Sequence, residues 1–370
     1  MFRSKGIKTM QTVEKKKMLY ILGVDWEWIY QRPQIIAEYL SQDYEVTVAF
    51  PFKIWDRHVK RTSRNESAGI PKLRLWVFPF QRKSRLVGVF ADKYKKLRLR
   101  NYQQYEYIYI DYPVDIEYIP EDYRGCLIYD CIDDHEQMCS NEYMHRKVVE
   151  DEEILMQRSD IVIVSSQKLL QKRADKYSKK MYLVRNGTSF TKIYDAREGV
   201  VKKHYIIGYI GTIAEWFDQD LVMQSAQKHT ELEYHLIGPC TISNQVRSNR
   251  IIYDGIVEHT KLQLHVKEYD CMIMPFIVNE TVRAVDPVKL YEYIAFGKCI
   301  ISVYYEELEY FRNYVYFYKT EEEYNNLMEA LIKQGFPPKY NRQQQGEFLK
   351  ENNWKERYKV IHQLIEQMHN

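Results

Sequence analysis

Strand-like and helix-like segments alternate along almost the whole chain, in two cycles that a polar stretch separates. Short apolar runs predict the strands, and amphipathic runs between them predict the helices. The predicted strands are 18–24, 44–50, 73–78, 105–111, 125–132, 161–165 and 181–184 in the first cycle and 204–209, 234–237, 250–253, 271–275, 299–303 and 315–318 in the second. The predicted helices are 32–40, 82–100, 141–157, 167–176, 218–228, 258–267, 287–296, 306–313, 321–336 and 354–369. This order predicts an α/β protein with parallel sheets and crossover helices.

The polar stretch TSFTKIYDAREGVVKK (188–203) lacks strong periodicity and predicts a connection between domains. A chain of 370 residues also exceeds the size at which one core usually stops growing. We therefore predict two doubly wound, Rossmann-like domains, 1–190 and 200–345, which face each other across a cleft. Domains of this type bind ligands at the carboxyl ends of their strands, so the site is expected in the cleft.

Composition and charge exclude several classes of protein. The apolar run 18–24 is too short for the core of a signal peptide, and no apolar run reaches the length of a membrane span. A net charge of +3 gives no reason to expect wholesale nucleic-acid binding. We expect a cytoplasmic protein that does not bind nucleic acid.

The segment RKSRLVGVFADKYKKLRLR (82–100) concentrates positive charge. Its basic residues alternate with apolar ones, and Asp92 is its one acid. Such a basic amphipathic stretch can lie on an anionic membrane surface. It can equally be a solvated helix that covers its own domain.

The segment DPVKLYEYIAFGKCIIS (286–302) predicts a short helix followed by a buried strand. Asp286 can cap this helix, Pro287 suits its first position, and Gly297 can end it in a left-handed conformation. Lys289 and Glu292 then share one side near the helix N-terminus, where backbone N–H groups attract an anion. The alternative is an ordinary exposed ion pair between these two side chains.

In IIGYIGTIAEWFDQD (206–220), a predicted strand runs into Gly211 and Thr212 before a helix. Phosphates bind at strand–glycine–helix turns of this kind. The chain lacks both the G-x-G-x-x-G fingerprint and the P-loop pattern, which argues against a nicotinamide dehydrogenase and a P-loop enzyme. Asp218 and Asp220 formally match a metal-binding D-x-D, but their place at a helix start indicates capping.

Two other segments follow predicted strands of the first cycle. In GVDWEWIYQRPQ (23–34), aromatic and polar side chains suit stacking on a polar ring and hydrogen bonding to it, or packing within the loop. The candidates there are Trp26, Trp28, Gln31 and Arg32.

In YDCIDDHEQMC (129–139), Asp133 and Asp134 are candidates for a general base, and helix capping is the alternative. The spacing of Cys131, His135 and Cys139 fits no common zinc site, so we predict no metal.

Taken in order, these segments resemble GT-B glycosyltransferases. The resemblance rests on WEWIYQRPQ, YDCIDD, SDIVIVSSQKL, LVRNGTSF, IGYIGTIAEWFD, HLIGP and DPVKLYEYIAFGKCIIS, and covers roughly 18–320. It is similar to the group-1 or family-4 type that builds bacterial polysaccharides, including teichuronic-acid and capsular enzymes. Asn353-Trp354 and the final helix, about 350–370, are similar to the segment that crosses back to the first domain in that fold.

The resemblance implies roles for individual residues. Glu292 would bind the ribose hydroxyls of a nucleotide-sugar, and Lys289 would contact its diphosphate. Other donor-binding residues would be Gly211 and Thr212 beside the diphosphate, Gly238 beside the base, Arg283 as a second cation, and Asp286. Positive groups and backbone donors would stabilise the leaving diphosphate, so neither a metal nor another cofactor is expected.

The sequence departs from the family at two places. Family-4 members often carry a glutamate eight positions before Glu292, where this chain has Ala284. TIAEWFD stands where an arginine–lysine pair often follows the glycine turn. Glu215 or Asp286 could take part in catalysis instead, or Asp133 or Asp134 could act as the base of an inverting reaction.

The resemblance therefore predicts a glycosyltransferase. A sugar would move from a UDP or GDP donor, bound by the second domain, to a hydroxyl of a saccharide or lipid-linked acceptor, bound by the first. Segment 82–100 would contact the inner leaflet of the membrane or an acidic acceptor. A nucleotide-sugar epimerase of the same architecture and a non-catalytic scaffold are the alternatives.

Overall fold

Two parallel sheets, each with its own apolar core, make up the protein in a computed structural model. The structure describes residues 14–28, 30–53, 69–81, 84–139, 141–193 and 199–368.

The first sheet lies in the N-terminal half of the chain. Its strands are β1 (Lys17–Ile21), β2 (Glu45–Phe52), β3 (Lys72–Trp76), β4 (Tyr107–Ile110), β5 (Cys126–Cys131), β6 (Ile161–Val164) and β7 (Met181–Leu183). Within the described residues these seven strands are parallel, in the order β3-β2-β1-β4-β5-β6-β7.

Helices cover both faces of this sheet. They are α1 (Arg32–Asp43), α2 (Arg85–Arg98), α3 (Glu142–Arg158) and α4 (Gln167–Tyr177). Successive residues of a strand point to opposite faces. In β1, Met18 and Tyr20 accordingly join the apolar cluster that contains α1, whereas Leu19 and Ile21 join the cluster that contains α3.

The second sheet repeats this plan. Its strands are β8 (Tyr205–Ile210), β9 (Leu232–Ile237), β10 (Ile251–Gly255), β11 (Cys271–Met274), β12 (Cys299–Val303) and β13 (Tyr316–Tyr318). In the described part of the chain they form one parallel sheet in the order β10-β9-β8-β11-β12-β13. Its helices are α5 (Gln219–Lys228), α6 (Leu262–His265), α7 (Glu280–Arg283), α8 (Val288–Ala295), α9 (Glu321–Gln334) and α10 (Arg342–Glu351).

The last helix, α11 (Trp354–Gln367), returns to the first sheet. Its Trp354, Ile361 and Ile365 belong to the same apolar cluster as Met18 and Tyr20. The chain therefore passes twice between the domains, once after β7 and once before α11. The two crossings lie side by side, since Thr188 N donates to Asn352 O at 3.0 Å.

The predicted α/β architecture is confirmed, and each predicted strand overlaps an observed one. Two predicted helices were wrong in extent. Only Leu262–His265 of 258–267 is α-helical, between 3₁₀ turns, and 306–313 contains a 3₁₀ helix at Glu306–Phe311. Helix α10 was not predicted because its sequence, RQQQGEFLKE, has too few apolar residues to show a helical period.

In the described part of the chain, no helix combines the length and apolar character that a membrane crossing requires.

The packing of α11 gives a stability prediction. Trp354→Ala removes a side chain that is 2% exposed in the core of the first domain, and should cost about 3–5 kcal/mol of unfolding free energy. Hydrogen exchange should then speed up in β1 and α1 while β8 and β11 stay protected. Faster exchange in the second domain alone would contradict this assignment of α11.

Candidate active site between the two sheets

Each sheet has a point where the strand order reverses. In the first sheet it lies between β1 and β4, and in the second between β8 and β11. Ligands of doubly wound domains bind outside the carboxyl ends of the strands at such points. The two domains approach each other there: the ring of Tyr30 lies 6.0 Å from that of His259, and Thr281 Oγ1 donates to Gln137 O at 3.3 Å.

Helix α8 enters the cleft from the second domain. Pro287 is its N-cap residue, and it ends before Gly297, whose φ of +68° is the predicted left-handed conformation. Its inner side packs in the core through Leu290, Tyr293 and Ile294. This packing fixes the position of Lys289 and Glu292 on the same helix.

Lys289 places its ammonium group against the turn after β8. The Nζ atom lies 5.8 Å from the ring centre of Tyr209 and 5.4 Å from that of Phe276. It has no carboxylate or hydrogen-bond partner among the described residues. Burial lowers the pKa of Lys289 to about 8, and the charge of Glu292 opposes this only in part. The cleft therefore contains a desolvated cation that is not neutralised by the protein.

The turn beside Lys289 depends on two glycines. Gly211 and Gly238 have φ values of +141° and +137°, which other residues rarely adopt. A Cβ atom on Gly211 would collide with the Lys289 side chain, and one on Gly238 would collide with the Gly211 carbonyl. The backbone thus lies directly against the lysine. Thr212 continues the turn, and its carbonyl accepts from Tyr209 Oη at 2.8 Å.

Glu292 does not pair with Lys289, so the ion-pair alternative was wrong for the described residues. Its Oε1 lies 2.8 Å from His259 Nε2 instead. The His259 ring stacks on Phe190, with centroids 4.8 Å apart and planes 28° apart. Phe190 belongs to the first crossing between the domains. Glu292 is therefore fixed in place by residues from two other parts of the chain.

The prediction that Asp286 caps α8 was wrong. Asp286 is 2% exposed, and its carboxylate makes no cap hydrogen bond to α8 but contacts the Tyr291 hydroxyl and the first crossing. Its Oδ2 accepts from the Asn186 N–H at 2.6 Å, both oxygens lie 3.0 Å from Tyr291 Oη, and Arg185 Nη1 is 3.4 Å away. Desolvation raises the pKa of Asp286 to about 6, against the influence of Arg185. Asp286 is thus enclosed by protein groups and is not open to a ligand.

Two other second-domain candidates differ in their surroundings. Arg283 pairs with Glu306 at 2.7 Å and with Glu280 at 3.5 Å on the surface, so its charge is already compensated. Glu215 is exposed in the loop between β8 and α5. The predicted capping at Asp218 is confirmed, because its Oδ1 accepts from Leu221 N at 2.9 Å.

On the first-domain side, Arg32 is not available to an acceptor, contrary to the prediction. Its guanidinium is 4% exposed and donates to Asp130 through Nε at 3.0 Å and Nη2 at 2.8 Å. Its Nη1 donates to Val184 O at 2.8 Å and to Asn186 Oδ1 at 3.1 Å. The buried carboxylate of Asp130, near the end of β5, thus compensates the charge of this arginine.

The other residues of that loop separate into two groups. Trp26 is buried in the core of the first domain, as the packing alternative predicted. The prediction that it contacts the acceptor was therefore wrong. Trp28 is 41% exposed and can still contact a ligand. Gln31 immediately precedes α1, and its N–H donates to Gln34 Oε1 at 3.2 Å.

The aspartates after β5 also differ. Asp134 is buried against Lys172, whose Nζ lies 2.7 and 2.8 Å from its two oxygens, so it is not a free base. Asp133 is half-buried, and its carboxylate has no hydrogen-bond donor among the described residues. Desolvation raises the pKa of Asp133, against the influence of His135 and Arg32. Of the two, Asp133 is the one whose carboxylate has no protein partner among the described residues.

His259, Phe190 and Asn186 were not among the predicted site residues. Asn186 and Phe190 lie in LVRNGTSF, which contributes to the family resemblance but implied no role for either residue, and His259 lies in none of the segments that carry the resemblance. Only the folded chain brings them to Glu292 and Asp286.

Comparison with known proteins supports the architecture. No protein-family model matches the chain. A protein of Bacillus subtilis (strain 168), provisionally named teichuronic acid biosynthesis glycosyltransferase TuaH, is 26% identical over 179 residues. This match spans 42% of the present chain and 44% of the relative, which is less than half of either.

Solved structures match over nearly their full length. Anabaena HepE, in complex with UDP and glucose, matches with a TM-score of 0.68 at 13% identity. The match covers 94% of this chain and 99% of the HepE chain. Staphylococcus aureus TarM, in a complex that includes UDP and α-GlcNAc-glycerol, has a TM-score of 0.65 at 7% identity with 94% and 99% coverage. These likenesses and the two parallel sheets establish that the chain has the α/β GT-B fold.

Proposed function

We propose that the protein is a glycosyltransferase of bacterial-type cell-surface polysaccharide synthesis. It transfers a sugar from a nucleoside-diphosphate donor to a hydroxyl of a saccharide or lipid-linked saccharide. The observation that carries this proposal is the cation of Lys289, which lies against a glycine turn at the switch point of the second sheet without a carboxylate partner. A diphosphate supplies the missing negative charge.

The chemistry of transfer explains why such a cation is useful. Negative charge builds on the diphosphate as the bond to the sugar breaks. A positive group that is already in place stabilises this charge, and it does so more strongly where water is excluded. The first turn of α8 adds backbone N–H groups beside Lys289.

Glu292, held by His259, is suited to bind the ribose of the nucleotide. A carboxylate that is partly buried accepts hydrogen bonds from vicinal hydroxyls, such as those of a ribose. Because His259 holds one carboxylate oxygen, the other is left for the ligand. The ligands named for HepE and TarM favour UDP over GDP as the donor nucleotide.

The first domain supplies the acceptor side. Asp133 is the candidate base, because its pKa is raised and no protein donor holds its carboxylate. Trp28 offers an exposed aromatic surface for a sugar ring. Glu215 remains a second carboxylate candidate from the other domain.

The alternatives have less support. An epimerase of this architecture would convert the donor without an acceptor, and no observation favours it. Ala284, which occupies the place of a family glutamate, is the one feature that favours a scaffold. Ala284 is 1% exposed and belongs to an apolar cluster of the first domain, so this position contributes to domain packing. Lys289 and Glu292 remain in place as donor contacts.

We further propose that the protein works in the cytoplasm, at the inner face of the membrane, through α2 and the loop before it. Leu86, Phe90 and Leu97 of α2 are exposed among basic residues, and Phe80 in the preceding loop is 70% exposed. Arg82 and Lys83 of the predicted basic segment lie outside the described residues. Apolar side chains that alternate with cations fit an anionic lipid surface.

The donor proposal predicts nucleotide binding that depends on Glu292. In thermal-shift titrations with UDP, GDP, CDP and dTDP, UDP should raise the melting temperature most. At a hundred times its Kd, a ligand adds about 2.7 kcal/mol, or a few degrees. Glu292→Ala should abolish the shift, whereas Glu322→Ala, on the exposed side of α9, should keep it. No shift with any nucleotide would refute the donor site.

Lys289 gives a prediction about stability. At pH 7 its half-buried charge has no carboxylate partner among the described residues, so Lys289→Met should raise the unfolding free energy by on the order of 1–3 kcal/mol. The folded-state pKa of about 8 lies below the ordinary 10.5, so between these values the unfolded chain binds more protons. The wild type therefore gains stability as pH rises through this range.

Urea unfolding of both proteins at several pH values measures this effect. The advantage of Lys289→Met should be largest at pH 7 and should shrink between pH 8 and about 10. A methionine variant that is less stable than the wild type at pH 7 would contradict the idea of an uncompensated charge.

The membrane proposal predicts binding to anionic vesicles. The wild type should co-sediment with vesicles that contain phosphatidylglycerol and much less with pure phosphatidylcholine. Leu86→Asp should weaken this binding, whereas Leu264→Asp, at an equally exposed leucine of the second domain, should not. Equal effects of the two variants, or no binding at all, would leave α2 as a solvated helix.

A further inference from the structure

A continuous chain of buried hydrogen bonds joins the two sides of the cleft through Asn186. From the first domain, Arg32 Nη1 donates to Asn186 Oδ1 at 3.1 Å. Towards the second domain, Asn186 N donates to Asp286 Oδ2, and Asn186 Nδ2 donates to Asp286 O, both at 2.6 Å. Both groups of the amide are therefore used, one for each domain.

The ends of this chain lie next to the proposed reacting groups. Arg32 is held by Asp130 near the end of β5, and Asp133 lies in the loop that follows this strand. Asp286 lies two residues before α8, and Lys289 lies in the first turn of that helix. A shift of Asn186 would consequently change the distance between the acceptor carboxylate and the donor cation.

The connection is also well fixed. Arg32, Asp130, Asn186 and Asp286 are all less than a tenth exposed. A third segment supports the same residue, because Arg357 Nε of α11 donates to Asn186 O at 2.9 Å. Breaking one bond in such a place leaves buried polar groups unsatisfied, so the arrangement strongly favours one geometry.

We propose that Asn186 is a positioning residue for the transfer reaction, which sets the place of α8 relative to the end of β5. This inference rests on the proposed function. Asn186 touches neither substrate in this account and acts through Asp286 and Arg32. An aspartate there could not donate to the Asp286 carbonyl and would set two carboxylates side by side.

The first test separates positioning from donor binding. In Asn186→Ala, α8 keeps its packing in the second domain, so the Kd for UDP should stay within about threefold of wild type. Misplacement of about 1 Å between reacting groups can cost 10²-fold, so kcat for sugar transfer should fall by about 10- to 100-fold. Asn186→Asp should behave in the same way.

A matched control accounts for lost stability. Asn141→Ala removes an asparagine that caps α3 on the surface, where its Oδ1 accepts from Met144 N at 2.9 Å. It should lower the melting temperature while leaving kcat unchanged. A wild-type kcat in Asn186→Ala, or a loss of UDP affinity as large as the loss of kcat, would overturn the inference.

A double-mutant cycle tests the route. Arg32→Lys keeps a charge near Asp130 but loses the planar fork that reaches Asn186, and Asp286→Asn removes the carboxylate at the other end. The two sites are joined through Asn186, so their effects on kcat should be clearly non-additive. Simple additivity would mean that Asn186 does not connect them.

A geometric measurement distinguishes failure of this inference from failure of the proposed function. Small-angle X-ray scattering needs no substrate, and Asn186→Ala should broaden the distribution of interatomic distances relative to wild type and Asn141→Ala. If the wild type binds no nucleotide, the proposed function fails, but this comparison still tests whether Asn186 sets the position of the two domains. An unchanged distribution in Asn186→Ala would overturn the positioning role.

Discussion

The charge of Lys289 is the constraint on which the site depends. Burying an ammonium group without a counter-ion is unfavourable, and the protein lowers the pKa of this lysine instead of neutralising it. The core packing of α8 holds the lysine there, and Gly211 allows the backbone to approach it closely. Such an arrangement costs stability in the free protein, and an anionic ligand offsets that cost. Titratable groups whose pKa is perturbed in this way are commonly found where proteins bind or react.

The second constraint is the double connection between the domains. A cleft enzyme must open to admit substrates and close to exclude water, yet its reacting groups must return to the same place. The two crossings meet at Thr188 and Asn352, and the buried amide of Asn186 contacts both domains. Arg185 and Glu307 add an ionic contact between the domains. Glu307 also accepts the N–H groups of Gln167 and Lys168 at the start of α4. The proposed donor site therefore lies within one domain, while contacts from both domains set its alignment.

Sequence patterns were sufficient for most of the fold because strands in parallel sheets are nearly continuous apolar runs. They also predicted that Lys289 and Glu292 share one helix and that Gly211 lies in the turn after β8, because these relations are local. The role of these three residues as donor contacts stays a proposal. They failed for Asp286 and Arg32. Both residues are charged, as residues that bind ligands often are. Each instead has a buried protein partner about a hundred residues away in the sequence, which a local pattern cannot reveal. The same limit hid His259, since its contact with Glu292 joins residues that are 33 positions apart in the sequence.

The most direct test of the central claim compares UDP with uridine by isothermal titration calorimetry at pH 7. If Lys289 binds the diphosphate, the wild type should bind UDP at least about tenfold more tightly than uridine, a difference of roughly 1.4 kcal/mol or more. In Lys289→Met this preference should disappear while the affinity for uridine stays the same. Equal affinities of the wild type for UDP and uridine would show that the buried cation has another purpose and would contradict the account.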